Sequence, residues 1–363
     1  MKLEVMDWEQ LDVNPRIITA AKKANLKAAR EILSFSSADL QRVTRLSQCD
    51  VMSLQTAVAA VHRKTPLITA LQLYQGECPA LEPGHKLTLG CPVLDSLLRG
   101  GVPLSGITEL AGESGVGKTQ IGLQLCLSVQ YPQEHGGMGS GAVYIATEDT
   151  FPIKRLRQLI TQQSRFRPDL PAELVDSIRF SDNIYIEHTA DLTALQACVA
   201  QRVPILLSRG LVRLVVVDSV AALFRCEFQA DETVERARHL LAFASSLQRL
   251  SRSFQTPVLC INQVTDIVGN SDPARCTYGL VDTRVLPALG MVWANQVLVR
   301  LMMRRLEGQP EASDSGGVPR KLQVVFAPHL PQAFCLCSVR EEGVRGISLS
   351  VLSQPQAPEL GLQ

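Results

Sequence analysis

The sequence predicts a mostly parallel, twisted α/β sheet preceded by a small all-helical domain. Up to about residue 62 the apolar residues recur at helical spacing, with almost no run typical of a strand. After residue 87 the pattern changes to short β-branched runs between helical stretches, which is typical of strands buried on both faces. We therefore expect a helical domain at residues 1–62, a linker at 63–86, the α/β core at 87–348 and a flexible tail at 349–363.

Length and composition exclude several classes of protein. The chain has 363 residues, 46% hydrophobic and 20% charged, so it can bury a core and is neither fibrous nor globally disordered. Its net charge is +1, so binding to nucleic acid would depend on local basic patches. The ten cysteines fall singly apart from Cys335 and Cys337, which suits reduced thiols. With neither a secretory pattern nor a run of about 20 apolar residues, we expect a soluble intracellular protein without membrane partners.

The N-terminal helices are predicted from apolar residues at helical spacing, such as Ile17 and Ala21. Ser37 and Ser47 are suited to cap two of these helices. Between residues 16 and 45, seven basic side chains face only two acidic ones. This excess indicates either a solvated helix face or a surface that binds DNA or a partner, and both interpretations remain open.

The linker at 63–86 is interrupted by prolines and glycines and cannot hold a long helix. Within it, Leu67, Ile68 and Ala70 form a small apolar group without an obvious local core. We therefore predict that this group docks on another chain as an added strand.

The α/β core begins after Leu87. A polar, glycine-rich stretch at Gly308–Arg320 indicates a hairpin loop between two late strands, and an apolar helix is predicted at Ile121–Val129. The runs predicted as buried strands are Gly106–Ala111, Ala142–Thr147, Leu211–Asp218, Pro257–Asn262 and Gln296–Leu301.

A phosphate-binding loop is predicted at residues 112–119, which match the pattern G-x-x-x-x-G-K-[ST] between a strand and a helix. Its glycines let main-chain N–H groups turn toward phosphates at a helix N-terminus. Lys118 adds a positive charge for the β- and γ-phosphate oxygens, and the Thr119 hydroxyl suits Mg²⁺. The predicted nucleotide-binding residues are Gly112, Glu113, Ser114, Gly115, Val116, Gly117, Lys118, Thr119 and Gln120.

A second part of the metal site is predicted at Asp218, which ends an aliphatic run of four residues. Many buried strands end in this way, so the run alone is weak evidence. Together with the glycine loop it predicts a carboxylate at the same edge of the sheet. Thr119 and Asp218 are therefore the predicted metal-binding residues, Asp218 acting through the water shell of Mg²⁺.

Phosphoryl transfer to water also needs a group that orients or deprotonates the water. Glu148 directly follows a predicted strand and is placed for this role, with Asp149 as the alternative. Asn262 and Gln263 follow another strand, where an amide could sense the γ-phosphate, although such a pair can also simply form a turn. The predicted catalytic residues are Lys118, Glu148, Asp218 and Gln263.

The order of these parts resembles that of the RecA/RadA family of recombinases. The likeness covers nearly the whole chain, and Leu89–Gly101 is similar to the family's lead-in to the core. The N-terminal helices resemble the small helical domain of the eukaryotic and archaeal members. The resemblance implies a RecA-like P-loop ATPase core that binds ATP and Mg²⁺ where subunits join head to tail. It also implies a nuclear protein, with a cytoplasmic pool.

The same resemblance implies partners. Leu67–Ala70 looks like the linker strand that pairs with a neighbouring subunit, but the family motif begins with Phe where this chain has Leu67. That departure counts against self-polymerisation. The resemblance favours a heterodimer with another recombinase paralogue, the C-type one. This complex would act on the main strand-exchange recombinase and on single-stranded and branched DNA.

Two loops that contact DNA in the strand-exchange members correspond here to residues 224–236 and 265–286. The first contains four acidic and two basic residues, and the second three acidic and two basic ones. DNA phosphates repel such loops unless a partner supplies positive charge. Phe224 and Phe228 could stack on bases, although packing in the core is the more usual role of such residues.

Three functions remain open from the sequence. The favoured one is a recombination mediator with a weak DNA-dependent ATPase, which acts in the repair of double-strand breaks, stalled forks and Holliday junctions. The second is a strand-exchange recombinase that forms its own filaments. The third is a scaffold in which ATP is only a structural ligand.

Overall fold

The chain divides into two compact units, residues 1–83 and 84–363. The finer boundaries of the linker and the tail remain predictions, and residues 349–363 lie outside the described part. None of the helices described is both long and apolar enough to cross a membrane. The computed structural model describes residues 8, 11, 13–26, 32–33, 35–62, 69–75, 85–148, 150–229, 231–266, 285–306 and 318–347.

The described part of the first unit is mostly helical. Nine of its apolar residues form one buried cluster, as the helical spacing predicts. The helices are α1 (Pro15–Lys23), α2 (Ser37–Thr44), α3 (Gln48–His62) and α4 (Ala70–Tyr74). The buried residues of the cluster are Leu11, Ile17, Ala21, Leu26, Ile32, Leu40, Val51, Leu54 and Val58.

Two serine caps were predicted for these helices, and one prediction is wrong. Helix α2 is capped by Ser36, whose Oγ accepts a hydrogen bond from the N–H of Asp39 at 3.1 Å. Ser37 is already helical, because the extended backbone that a cap requires falls on Ser36. Ser47 accepts from the N–H of Asp50 at 3.2 Å, which confirms it as the cap of α3.

The predicted docking strand is described only in part. Leu67 and Ile68 lie outside the described residues. The Thr69 hydroxyl accepts a hydrogen bond from the N–H of Gln72 at 3.1 Å, and helix α4 begins at Ala70. The last residue of the predicted strand is therefore helical, because Thr69 acts as a helix cap.

The second unit is built on a nine-stranded sheet with strand order β13-β12-β11-β10-β3-β7-β6-β4-β5. The pairs from β10 to β5 are parallel, and β10 to β13 form an antiparallel extension. The strands are β1 (Lys86–Leu87), β2 (Val102–Pro103), β3 (Ile107–Gly112), β4 (Gly141–Ala146), β5 (Ile184–His188), β6 (Val212–Asp218), β7 (Val258–Asn262), β8 (Val264–Asp266), β9 (Val285–Pro287), β10 (Val299–Arg305), β11 (Arg320–Phe326), β12 (Phe334–Val339) and β13 (Val344–Ile347).

Helices cover both faces of this sheet. They are α5 (Pro92–Leu97), α6 (Lys118–Ser128), α7 (Ile153–Thr161), α8 (Gln163–Phe166), α9 (Ala172–Ser177), α10 (Leu192–Ala197), α11 (Val203–Ser208), α12 (Val220–Cys226), α13 (Thr233–Phe254) and α14 (Gly290–Ala294).

Side chains of the central parallel strands alternate between the two faces of the sheet, and most of them are buried. In β6, Leu214 and Val216 pack on the face covered by α6, whereas Val215 and Val217 pack on the face covered by α13. Because the alternation continues to the strand end, Asp218 faces the start of α6. The same rule directs other polar side chains of the sheet edge to one face or the other.

The structure confirms the five predicted strands, four of them with bounds within one residue of the prediction, and it also confirms the late hairpin. The last of the five begins at Val299, not at Gln296, because helix α14 and the turn after it occupy the preceding residues. The Gln296 carbonyl accepts a hydrogen bond from Gln248 Nε2 at 2.7 Å, which holds that turn on α13. Arg305 and Arg320 pair at the end of the hairpin, and the loop residues 307–317 lie outside the described part.

Candidate nucleotide-binding site

The glycine loop lies between the buried strand β3 and helix α6. Gly115 and Gly117 have φ angles of +69° and +108°, which favour glycine. Gly112 is constrained by packing, since a Cβ there would lie 2.4 Å from the carbonyl oxygen of Met303 in β10. Val116 is fully buried and anchors the loop in the core. The sequence therefore forms this turn only with glycine at several positions.

Lys118 begins α6, and its ammonium group folds back over the loop. Its Nζ donates to the carbonyl oxygens of Gly112 at 2.7 Å and Glu113 at 2.8 Å. Burial lowers the pKa of Lys118, and the neighbouring carboxylates of Asp218 and Glu148 act in the opposite direction. A phosphate group would supply the negative charge that favours the protonated amine.

Thr119 and Asp218 meet although they are 99 residues apart in the chain: Thr119 Oγ1 donates to Asp218 Oδ2 at 2.7 Å. The hydroxyl of Tyr144 donates to the same oxygen. Burial raises the pKa of Asp218, and these two hydrogen bonds oppose the rise. Tyr144 was not predicted, but its even-numbered position in β4 places it on the α6 face, which a strand register would have revealed.

Glu148 and Gln263 also come together. Gln263 Nε2 donates to Glu148 Oε1 at 2.7 Å, and the Ser219 hydroxyl donates to the same oxygen. Arg225 Nη1 donates to Gln263 Oε1 at 2.7 Å. Sequence reasoning missed Ser219 and Arg225, which carry no motif of their own. Asp149, the alternative to Glu148, lies outside the described residues.

Asn262 lies on the opposite face of the sheet from Gln263. It is fully buried, and its Nδ2 donates to Glu109 Oε1 at 2.5 Å. Trp293 Nε1 donates to that oxygen at 3.0 Å, and Arg300 forms an ion pair with the other oxygen of Glu109. Of the two amides considered as γ-phosphate sensors, only Gln263 reaches the cleft.

A cleft of about 570 Å³ opens between these groups. Of the predicted residues, it is lined by Gly112, Ser114, Gly115, Lys118, Thr119, Glu148, Asp218 and Gln263. Glu113, Val116, Gly117 and Gln120 are not among its lining residues, and Gln120 Oε1 instead accepts from Arg155 Nε at 2.6 Å. The other lining residues include Tyr144, Thr150, Phe151, Pro152 and Ser219.

The donor set of this cleft fits a magnesium-bound nucleoside triphosphate. A glycine loop precedes the N-terminus of an 11-residue helix, which is the arrangement that binds phosphates through main-chain N–H groups. Thr119 and Asp218 present a hydroxyl and a carboxylate oxygen within 2.7 Å of each other, and oxygen ligands are those that Mg²⁺ prefers. Lys118 supplies a cation beside them.

Comparison with known proteins agrees with this geometry. The Rad51 family matches residues 85–347, and the XRCC3/RpoA-like helix-hairpin-helix domain matches residues 8–61. The chain is 52% identical to the mouse DNA repair protein XRCC3 over 94% of this chain and 98% of that protein. It is 35% identical to the Arabidopsis thaliana DNA repair protein XRCC3 homolog and 30% identical to Schizosaccharomyces pombe rhp57, over 72% and 85% of this chain. The chain belongs to the Rad51 family.

Proposed function

We propose that this chain is an ATP-binding recombination mediator, a subunit of a recombinase-paralogue complex that acts in homologous recombination repair. One observation carries the proposal: Lys118, Thr119, Asp218, Glu148 and Gln263 line a single cleft in a protein of the Rad51 family. Relatives of high identity are named as DNA repair proteins, which supports repair as its setting. Double-strand breaks, stalled forks and Holliday junctions are the DNA structures we propose for it.

We further propose a weak, DNA-dependent ATPase, and the residues of the cleft support ATP hydrolysis. Thr119 and Asp218 would hold Mg²⁺, which when bound would offset the negative charge of the phosphates. Lys118 binds the phosphate oxygens. Glu148, held by Gln263 and Ser219, orients or deprotonates the attacking water. Gln263 in turn contacts Arg225, so it links the cleft to the start of the first loop region.

The first loop region favours a mediator over a recombinase that forms its own filaments. Two of its carboxylates are bound within the protein: Glu227 accepts from the N–H of Leu192 at 2.6 Å, and Glu232 from that of Gln229 at 2.7 Å. Two of the region's four carboxylates therefore stabilise local structure, and its negative charge repels DNA phosphates. Of the second loop, only residues 265–266 and 285–286 are described.

The proposed partners are the C-type recombinase paralogue as a heterodimer, the main strand-exchange recombinase, and single-stranded and branched DNA. The basic residues of the helical unit support a DNA contact, since Lys22, Lys23, Arg42 and Arg45 are exposed. We further propose a nuclear protein with a cytoplasmic pool. Leu67 in place of the family's Phe supports pairing with a paralogue in preference to self-assembly.

The decisive experiment is purification of the endogenous complex with and without ATP, which gives its partner, stoichiometry and nucleotide dependence together. A mediator predicts a small complex containing a paralogue, whose composition changes with ATP and no longer changes in Lys118→Ala. Long homopolymers on single-stranded DNA by electron microscopy would support the recombinase instead. Full repair activity of Glu148→Gln, together with loss of repair in Leu67→Glu, would support the scaffold.

A further inference from the structure

Two arginines of the antiparallel extension contact the back of the glycine loop. Arg305, the last residue of β10, donates through Nη2 to the carbonyl oxygen of Gly115 at 2.8 Å. Arg320, the first residue of β11, donates through Nε to the carbonyl oxygen of Val116 at 2.7 Å. The two residues are cross-strand partners at the end of one hairpin, so one piece of structure holds two successive peptide groups.

The direction of these contacts matters because a peptide group is planar and its N–H points opposite to its C=O. The carbonyl of Gly115 belongs to the same peptide as the N–H of Val116, and the carbonyl of Val116 to that of Gly117. An arginine that holds either carbonyl therefore also sets the direction of the next N–H group. Those N–H groups are the ones that a phosphate-binding loop turns toward its ligand.

The loop needs such a restraint because Gly115 and Gly117 confer little stiffness of their own. Arg320 is itself fixed, since its Nη1 donates to the carbonyl oxygen of Val318 at 2.7 Å. Burial lowers the pKa of Arg320; Cys337 opposes this change, and the nearby positive charge of Arg305 adds to it. Glycine at position 115 leaves room for this contact, because a Cβ there would lie 2.8 Å from Arg305 Nη2.

We propose that Arg305 and Arg320 are positioning residues that hold the glycine loop in its phosphate-binding conformation before nucleotide arrives. The inference rests on the proposed function, because it assumes that the loop binds nucleotide phosphates. The antiparallel extension of the sheet, which contributes no predicted site residue, then sets the affinity for the β-phosphate. Preorganisation of this kind raises affinity by removing the cost of ordering the loop on binding.

The test compares ADP with AMP, which lacks the β-phosphate, in the full chain. Because Arg320 is half-buried, we expect Arg320→Met to lower the affinity for ADP roughly tenfold by removing a hydrogen bond from a charged donor. The Arg305 side chain is exposed, so Arg305→Met should lower that affinity by no more than about fivefold. The affinity for AMP should change much less, so the ratio of the two affinities falls. Arg305→Lys and Arg320→Lys keep a charged donor, so each should bind ADP more tightly than the corresponding Met variant and less tightly than the unsubstituted chain, and they replace a Met variant that does not fold.

Arg345→Met is the matched control. Arg345 lies on β13 of the same extension, and its Nη2 also donates to two main-chain carbonyl oxygens, those of Arg165 at 2.7 Å and Phe166 at 3.0 Å. Neither residue lines the nucleotide cleft. This variant should keep the ADP to AMP ratio of the unsubstituted chain.

Hydrogen exchange of the nucleotide-free chain gives a second readout. Peptides covering residues 112–120 should exchange faster in Arg305→Met and Arg320→Met than in Arg345→Met. Unchanged exchange and an unchanged ADP to AMP ratio in both variants would overturn the inference but leave the proposed function standing. Failure of the unsubstituted chain to bind ADP would contradict both.

Discussion

Two polar clusters lie on opposite faces of the sheet, on either side of the peptide bond between Asn262 and Gln263. Asn262 joins a closed cluster with Glu109, Trp293 and Arg300, all of them buried. Gln263 joins the open cleft, where its partner is Glu148. The two amides are adjacent in the sequence, but their side chains lie on opposite faces of the sheet.

Similar polar groups have different roles in the two clusters. In the closed cluster, donors from three elements converge on the carboxylate of Glu109, so its charge is balanced within the protein. In the open cleft, the ammonium group of Lys118 donates hydrogen bonds to two neutral carbonyl oxygens, and the nearby carboxylates of Asp218 and Glu148 favour its charged form. A phosphate that enters the cleft would add a direct counter-charge. We therefore expect substitutions in the closed cluster to reduce stability, and those in the cleft to reduce nucleotide binding.

The largest effect is expected for Glu109→Gln. It leaves the guanidinium of Arg300 buried without its counter-ion, which typically costs about 3–5 kcal/mol in the free energy of unfolding. Urea denaturation measures this change. Glu134→Gln, at a side chain 77% exposed, is the control and should change stability by less than about 0.5 kcal/mol. Equal stabilities of the two variants would contradict the division into a closed and an open cluster.

Lys118→Ala should have the opposite profile. The loss of charged hydrogen bonds to phosphate predicts a fall in ADP affinity worth about 1.5–3 kcal/mol, measured by fluorescence or calorimetric titration. The free energy of unfolding without nucleotide should change by less than about 1 kcal/mol, since burial already disfavours the protonated amine. A large loss of stability with ADP binding intact would reverse the assignment of the cleft.

Asn262→Ala and Gln263→Ala test the two clusters separately, because the two changes are chemically similar and affect adjacent residues. Asn262→Ala removes a donor to a buried carboxylate and should destabilise the chain by about 1–3 kcal/mol. Gln263→Ala should leave stability within about 0.5 kcal/mol and instead lower ATP hydrolysis. Thermal unfolding and a phosphate-release assay on both variants make the test, and a shared phenotype would count against the two-face arrangement.

The smallest effect is expected for Arg225→Met. Its guanidinium is exposed and donates a hydrogen bond to the amide oxygen of Gln263. Exposed polar contacts contribute about 0–1 kcal/mol, so ATP hydrolysis should fall by no more than about fivefold, with ADP affinity unchanged. Arg249→Met serves as the control, because its exposed side chain contacts Ser246 on α13 outside the cleft. A change in ADP affinity would show that Arg225 acts on the phosphates rather than on Gln263.

Most of the sheet could be predicted because buried parallel strands need β-branched runs, and these are visible in sequence. The glycine loop could be predicted for a similar reason, since few residues fit its backbone. The two serines at the start of α2 show the limit: Ser36 and Ser37 suit a cap equally, and only the backbone conformation distinguishes them. The start of β10 was misplaced because Val297 and Leu298, in the turn after α14, extend the apolar run of the strand.

The missed parts of the site depend on contacts between distant parts of the chain. Glu109 and Arg300 are separated by 191 residues, and Arg320 reaches a carbonyl 204 residues away. Every residue has a main-chain carbonyl oxygen, so contacts to such oxygens leave no pattern of residue types in the loop. No motif therefore marks Arg305 or Arg320. Tyr144 could have been assigned from strand alternation, whereas Asn262 and Gln263 needed the strand end to be placed to within one residue.

The crowding at Gly112 bears on how variants at this position should be interpreted. A side chain there would press on the main chain of β10, and the same residue lines the nucleotide cleft. A substitution of Gly112 should therefore lower stability as well as nucleotide binding. The amount of folded protein should be measured in such a variant before a loss of activity is attributed to the nucleotide.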